Sequence, residues 1–143
     1  MSFCLQKKSH TVLCGIFSII GLIVIDQVIK FFILQSQAIE SLCNYGIAMG
    51  IILPQIIFVG LWILIMLCVI YFWVQKTSDK FINQLPYILI LSGGISNTID
   101  RFYYGCVVDY IPFLNISSFN IADAYITIGA GLILWQSFRD SRD

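Results

Sequence analysis

The sequence predicts an all-α membrane protein with four transmembrane helices, on the evidence of its composition and the spacing of its charged residues. Hydrophobic residues make up 59% of the 143 residues, whereas Asp, Glu, Lys and Arg together make up only 11%. A soluble domain of this size has about 45–50% apolar and about 25% charged residues. Four spans of about 20 residues would use about 80 residues, so residues 1–143 are expected to form a single integral membrane domain.

Four long apolar stretches define the predicted helices. They are expected at about residues 11–34, 51–74, 81–100 and 120–138. The first stretch is longer than the apolar region of a cleavable signal peptide, about 7–15 residues, and no small-residue cleavage site follows it, so we expect a retained helix. Pro86 is tolerable near the start of the third helix, and Asn120 can cap the N-terminus of the fourth.

Basic residues determine the predicted orientation. With an even number of crossings, all but one of the basic residues outside the spans fall on one side, and only Arg101 falls in a segment on the other. The residues on the shared side are Lys7, Lys8, Lys76, Lys80, Arg139 and Arg142. The positive-inside rule then places both termini in the cytoplasm. Most of the remaining ionisable and amide side chains converge on the outer face, where we expect a functional site.

Several kinds of site are disfavoured by the composition. The formal net charge is zero, which gives no support for nucleic-acid binding. Five cysteines, an odd number without CxxC spacing, predict neither a zinc site nor a disulfide framework, so all five are expected to pack as small apolar residues in or beside the helices. The single histidine, His10, lies at the cytoplasmic end, away from any partner for a catalytic triad. No metal or cofactor is expected.

Two groups of polar residues lie within the predicted helices. Asp26 and Lys30 are four residues apart and share a helical face, so we interpret them as a structural ion pair that lowers the cost of burying charge in a membrane. Asn97 and Arg101 also share a face, and they could donate hydrogen bonds to a carbonyl or carboxylate group. Alternatively, Arg101 could extend to lipid headgroups with Asp100 helping to neutralise it, and the spacing leaves both interpretations open.

Asp109 and Asp123 differ from Asp26 and Asp100, because neither has a Lys or Arg within four residues in the sequence. Two carboxylates that approach closely near an interface can share a proton, since one pKa is then strongly raised. One carboxylate can then act as a base toward water while the other acts as an acid toward a carbonyl group. Alternatively, Asp109 is a solvated loop residue and Asp123 stabilises the fourth helix through its dipole.

Five short segments, taken in order, resemble the motifs of the bacterial lipoprotein signal peptidase family, signal peptidase II. They are 26–30 (DQVIK), 44–50 (NYGIAMG), 94–101 (GISNTIDR), 107–110 (VVDY) and 119–123 (FNIAD). The resemblance covers about residues 22–126, with departures at Met49, where an aromatic residue is common, and at Ser96, where glycine is common. It implies an aspartyl protease of the bacterial inner membrane that cleaves prolipoproteins before a diacylglyceryl-modified cysteine.

The resemblance also implies roles for individual residues. Asp109 and Asp123 match the catalytic pair, and the positions that line or support the substrate site are Asn44, Asn97, Arg101 and Asn120. The outer loops would form a small β-cradle and a short lid helix. Membrane lipids and globomycin-type cyclic peptides are the further expected partners.

Two alternative functions fit the sequence less well. A proton-coupled exporter using Asp26 and Asp123 would place its carboxylates near the bilayer midplane, and the predicted clustering at one face disfavours it. A non-catalytic membrane scaffold would leave Asp109 and Asp123 without a purpose.

Overall fold

A computed structural model describes residues 2–36, 42–45, 55–76, 81–113 and 117–141. Within these residues the chain forms long helices joined by short antiparallel strand pairs. The helices are α1 (Ser2–Gln35), α2 (Gln55–Lys76), α3 (Leu85–Tyr104) and α4 (Ile121–Asp140), with a 3₁₀ turn at Phe81–Asn83 before α3. The strands are β1 (Leu42–Asn44), β2 (Val107–Asp109), β3 (Ile111–Phe113) and β4 (Ser117–Phe119).

Helix boundaries differ from the predicted ones for local reasons. The predicted third helix is shifted toward the C-terminus, because Pro86 occupies the first turn of α3 and Gly105 ends the helix at a φ of 78°. Helix α4 begins directly after Asn120, which confirms the predicted N-cap. Helix α1 begins nine residues before the predicted span, at Ser2 rather than at residue 11, and residues 51–54 of the predicted second helix lie outside the described residues.

The outward surfaces of α1, α2 and α4 are apolar. Phe17, Phe32, Leu64 and Phe138, for example, are all more than half exposed. Two described segments, His10–Gln35 and Ile121–Arg139, are long and apolar enough to cross a membrane by length and composition, and Gly60–Gln75 is a shorter apolar helix. An apolar exterior of this kind is typical of helices in contact with lipid.

Helix α3 lies at the centre, against α1, α2 and α4. A hydrophobic cluster around Ile88 and Leu91 packs it against Ile19 of α1 and Trp73 of α2. Unlike the other helices, α3 buries polar residues along much of its length, including Ser92, Ser96, Asn97 and Asp100. Much of the buried polarity of the described residues therefore lies around this one helix.

Glycines allow α3 to approach its neighbours closely. A Cβ on Gly93 would collide with the carbonyl oxygen of Ala122 in α4, and one on Gly129 of α4 would lie 2.7 Å from the carbonyl oxygen of Pro86. On the other side of α3, a Cβ on Gly94 would lie 2.9 Å from the Met66 side chain of α2. Small residues are typical of such contacts in membrane helices, because packing rather than burial from water drives association there.

The strands form two antiparallel pairs, β1 with β2 and β3 with β4. In the first, Leu42 lies opposite Asp109 and Asn44 lies opposite Val107. The implied cradle therefore corresponds to two separate two-stranded sheets. Among the described residues no short lid helix follows the strands, and the neighbouring residues 46–54 lie outside them.

A disulfide joins Cys43, in β1, to Cys106, which directly precedes β2. The prediction that no cysteine forms a disulfide is therefore wrong for this pair. The two residues are 63 positions apart in sequence, and the pairing of β1 with β2 brings their Cα atoms to 5.5 Å, a normal distance for a disulfide. Cys14 and Cys68 are free and exposed on their helices.

Candidate active site

A buried ion triplet lies where α1 and α3 approach the start of α4. The Nζ of Lys30 is 2.7 Å from a carboxylate oxygen of Asp26 and 2.7 Å from one of Asp100, and all three side chains are almost completely buried. The ion pair predicted between Asp26 and Lys30 is confirmed. The contact from Lys30 to Asp100 was not predicted, because it joins two helices.

The carboxylates of the triplet also accept hydrogen bonds from several elements. Asp26 accepts from the hydroxyl of Ser96 at 2.7 Å and from the backbone N–H of Ala122 at 3.1 Å. Asp100 accepts from the side-chain amide of Gln27 at 2.8 Å and from the backbone N–H of Val108 at 3.2 Å. The triplet therefore joins α1 and α3 to the first turn of α4 and to β2. Sequence reasoning assigned no role to Gln27 or Ser96, since only tertiary packing pairs them.

Asn97 connects this triplet to Asp123. Its Oδ1 accepts hydrogen bonds from Lys30 Nζ and from Asn120 Nδ2, each at 3.1 Å. Its Nδ2 donates to Oδ1 of Asp123 at 2.7 Å. A lysine ammonium can only donate, so Lys30 requires the oxygen of the Asn97 amide to face it, and the nitrogen is left to face Asp123.

Asn120 contacts both Asp109 and Asp123. Its side-chain oxygen accepts from the backbone N–H of Asp123 at 3.0 Å, and its own backbone N–H donates to Oδ2 of Asp123 at 3.2 Å, which together form a capping box at the start of α4. Its Nδ2 donates to Oδ1 of Asp109 at 2.8 Å. The helix cap predicted at Asn120 therefore also brings the two predicted carboxylates to one residue, Asp109 to its side chain and Asp123 to its backbone N–H.

Asp109 is only 1% exposed, at the end of β2. Its second oxygen, Oδ2, accepts a 2.9 Å hydrogen bond from Nδ2 of Asn44 in β1. Burial, reinforced by the nearby charge of Asp123, raises the pKa of Asp109 to about 6, although the hydrogen bonds from Asn44 and Asn120 and the charge of Lys30 oppose that rise. A carboxyl group with such a pKa can hold or release a proton near neutral pH.

Negative charge exceeds positive charge around this site. In the described part of the chain four carboxylates gather here, and the nearby cations are Lys30 and Arg101. Arg101, which donates from Nη1 to the carbonyl oxygen of Asn97 at 3.3 Å, interacts electrostatically with Asp100, Asp109 and Asp123. A retained proton would reduce the excess charge. The described residues contain no group of three or more His, Cys, Asp or Glu placed to hold a metal ion.

Fold and site together define a helical membrane protein with a pair of carboxylates at one end of an apolar bundle. The same fold occurs in two solved structures described as a bacterial membrane enzyme, determined by the in meso method at 2.3 Å and 1.9 Å resolution. Each has a TM-score of 0.78 and 28% sequence identity over 90% of this chain, which corresponds to 89% and 95% of the respective solved chains.

The family model of signal peptidase (SPase) II matches residues 18–139. The proteins named lipoprotein signal peptidase from Brucella ovis and Brucella melitensis are each 32% identical to this chain, over 92% of its length and 93% of theirs. The chain therefore belongs to the signal peptidase II family, as its motifs indicated, and it is a peptidase.

Proposed function

We propose that this chain is an intramembrane aspartyl endopeptidase that removes the signal peptide of prolipoproteins by cleaving before a diacylglyceryl-modified cysteine. Family membership and the names of the similar proteins support the reaction and the substrate class. The observation that supports the aspartyl mechanism is that one residue, Asn120, donates to both carboxylates, from its side-chain amide to Asp109 and from its backbone N–H to Asp123.

Asp109 and Asp123 are the proposed catalytic pair. Asp109 is almost fully buried with a pKa raised to about 6, whereas Asp123 is partly exposed. Asp123 also accepts hydrogen bonds from Asn97 and from the backbone of Asn120. This difference in surroundings supports a pair that shares one proton, and the pair titrates as a unit.

The proposed reaction uses one water molecule and forms no covalent intermediate with the enzyme. The ionised carboxylate removes a proton from the water as its oxygen bonds to the scissile carbonyl carbon. The protonated carboxyl group donates its proton to the carbonyl oxygen. When the tetrahedral intermediate collapses, one of its hydroxyl groups returns a proton to the pair as the C=O bond re-forms. The C–N bond breaks and the leaving amine takes a proton from the pair, which again holds one proton. No step requires a metal ion or a cofactor.

Asn44, Asn97, Arg101 and Asn120 are proposed to line or support the substrate site. In the structure the three asparagines direct amide hydrogens at the carboxylates of Asp109 or Asp123. Their contribution is therefore to orient the catalytic pair. Arg101 is the proposed contact for substrate backbone groups, since its guanidinium is only partly buried and near both carboxylates.

The proposed topology has four transmembrane spans in a single domain of the bacterial inner membrane, with both termini in the cytoplasm and the site toward the outer face. The apolar exteriors of α1, α2 and α4 support the spans. The Cys43–Cys106 disulfide supports the orientation independently of the basic residues, because disulfides persist in oxidising compartments outside the cytoplasm. Substrate acyl chains would lie between the helices and the bilayer, and globomycin-type peptides would inhibit by occupying the site.

The deciding experiment is cleavage of a synthetic diacylglyceryl-modified signal peptide by the purified chain in detergent. We expect cleavage before the modified cysteine, and a reduction of about 100-fold or more in kcat for Asp109→Asn and for Asp123→Asn, because proton transfer by a positioned side chain contributes about 10²–10⁴-fold. The unmodified peptide is the substrate control.

Asp140→Asn is the matched protein control. Asp140 lies in the last turn of α4, 17 residues from Asp123 and so about 26 Å along the helix axis. We expect its activity to equal that of the wild type. Cleavage at the wild-type rate by either Asp109→Asn or Asp123→Asn would exclude the proposed catalytic pair.

A further inference from the structure

Asn44 reaches Asp109 from a strand only three residues long. Among the described residues, strand β1 (Leu42–Asn44) pairs with β2 (Val107–Asp109) and with no other strand. An isolated two-stranded ribbon is marginally stable at best, and a short one has little in its own hydrogen bonds to prevent a slip in register. The hydrogen bond from Asn44 to Asp109 therefore depends on whatever fixes that register.

The two strands carry two diagonal contacts on opposite faces. Asn44 lies opposite Val107, and its side chain reaches along the same face to Asp109, with 2.9 Å between Nδ2 and Oδ2. Cys43 lies opposite Val108, on the other face, and its sulfur is bonded to that of Cys106, two residues before Val108. Because successive side chains alternate between faces, a slip of one residue would turn Asn44 away from Asp109.

We propose that the Cys43–Cys106 disulfide is a positioning device for the catalytic pair, which fixes the register of β1 on β2 and thereby holds Asn44 against Asp109. The proposal rests on the function assigned above to Asp109. A covalent bond between the strands allows only registers that keep Cys43 beside Cys106, and the register with Asn44 beside Asp109 is one of these.

The bond is open to chemical attack from one side. Cys43 is exposed, whereas Cys106 is only 4% exposed. A dithiol reductant can therefore attack at Cys43, and its two thiols are oxidised to a disulfide while the two cysteine sulfurs gain two electrons and two protons. Cleavage activity should then depend on the redox state of a bond that does not itself touch the substrate.

The first test compares cysteine variants. Cys43→Ser/Cys106→Ser should lower kcat/KM by about fivefold or more and should move the basic limb of its pH profile in the same direction as Asn44→Ala. The groups that act on Asp109 from other elements, Asp123, Lys30 and Arg101, are unchanged in both variants. Adding the two serine substitutions to Asn44→Ala should cause no further loss of kcat/KM. The contact between Asn44 and Asp109 that the disulfide protects is already absent in that variant.

The matched control is Cys14→Ser/Cys68→Ser, which removes two free, exposed thiols and leaves the strands intact. It should retain wild-type activity. If Cys43→Ser/Cys106→Ser shows the wild-type kcat/KM and pH profile, or if its effect adds fully to that of Asn44→Ala, the proposal is wrong.

The second test does not depend on folding of a variant. Folded wild-type protein is treated with dithiothreitol, and hydrogen exchange of backbone amides in 42–45 and 107–109 is followed alongside cleavage. Dithiothreitol should accelerate the exchange and lower the cleavage rate, and reoxidation should reverse both effects. In Cys43→Ser/Cys106→Ser, dithiothreitol should have neither effect. Unchanged exchange overturns the proposal even in a preparation that cleaves nothing, whereas failure of the wild type to cleave lipidated peptide counts against the proposed function alone.

Discussion

Asn97 donates a 2.7 Å hydrogen bond from its amide nitrogen to Asp123, and the same amide accepts a 3.1 Å hydrogen bond from Lys30 through its oxygen. The orientation of Asn97 is therefore set by Lys30, a cation whose ion pairs are with Asp26 and Asp100. The ion triplet of Asp26, Lys30 and Asp100 thus does more than neutralise buried charge. It determines which end of an amide faces the site.

Replacing Lys30 with Met tests this link. Two buried carboxylates would lose their cation, which should lower the free energy of unfolding by about 3–5 kcal/mol. Cleavage should fall as well, because Asn97 would lose the donor that orients it. Thermal unfolding in detergent and kcat for the lipidated peptide measure the two effects separately.

The control for this variant restores charge balance. Lys30→Met combined with Asp26→Asn and Asp100→Asn carries no unpaired charge in the triplet, so we expect most of the stability to return while activity stays low. If activity returned together with stability, Lys30 would act only by balancing charge.

Asn44→Ala should change how activity depends on pH. Asn44 donates to the carboxylate of Asp109 and so opposes the rise of its pKa to about 6. Without that donor the pKa of Asp109 rises further, and the proton needed for acid catalysis is retained to higher pH. The basic limb of kcat/KM should therefore move upward, while the maximal rate falls by about 10–150-fold, in line with the loss of one hydrogen bond to a charged group. Tyr45→Ala, at the exposed next residue, should leave the limb in place. A limb that stayed fixed or moved downward in Asn44→Ala would refute the assignment.

Asn120 combines a helix cap with a contact to Asp109, and two substitutions separate these roles. Serine is a good N-cap, so Asn120→Ser should keep nearly all of the wild-type stability, whereas Asn120→Ala should lose about 1 kcal/mol. Both remove the amide that donates to Asp109, so both should reduce cleavage by about tenfold or more. Thermal unfolding and kcat of the two proteins give the comparison. Full activity in Asn120→Ser would mean that capping alone accounts for the residue.

Gly93→Ala should destabilise the α3–α4 contact, because the added Cβ would collide with the carbonyl oxygen of Ala122 at the start of α4. We expect a loss of about 1–3 kcal/mol from overpacking, seen as a lower unfolding temperature. Gly131→Ala in α4 is the matched control, since nothing lies within 4 Å of its added Cβ and alanine is the better helix former. Equal unfolding temperatures for the two variants would contradict this packing.

The helices and their caps could be predicted from the sequence, because their signals are local. Apolar stretches, the position of Pro86 and the capping side chain of Asn120 each act within a few residues. Asp26 and Lys30 could be paired for the same reason. The motif series also indicated the family, which the comparisons show.

Contacts between distant segments could not be predicted from spacing. Lys30 and Asp100 are 70 residues apart, Gln27 and Asp100 are 73 apart, and Cys43 and Cys106 are 63 apart. The odd number of cysteines even favoured the wrong conclusion, because a count carries no information on which two lie side by side. The catalytic roles of Asp109 and Asp123 stay predictions.

The sequence by itself determined that this is an apolar, helical membrane protein with a small set of polar residues near one end of its helices, because hydropathy and capping depend on neighbouring residues. Only the tertiary structure decided how those polar residues are connected. Asn120 meets both Asp109 and Asp123, Lys30 orients Asn97, and a disulfide closes β1 onto β2. Lys30 is 67 residues from Asn97, Cys43 is 63 from Cys106 and Asn120 is 11 from Asp109, so these contacts depend on tertiary packing rather than on neighbouring residues.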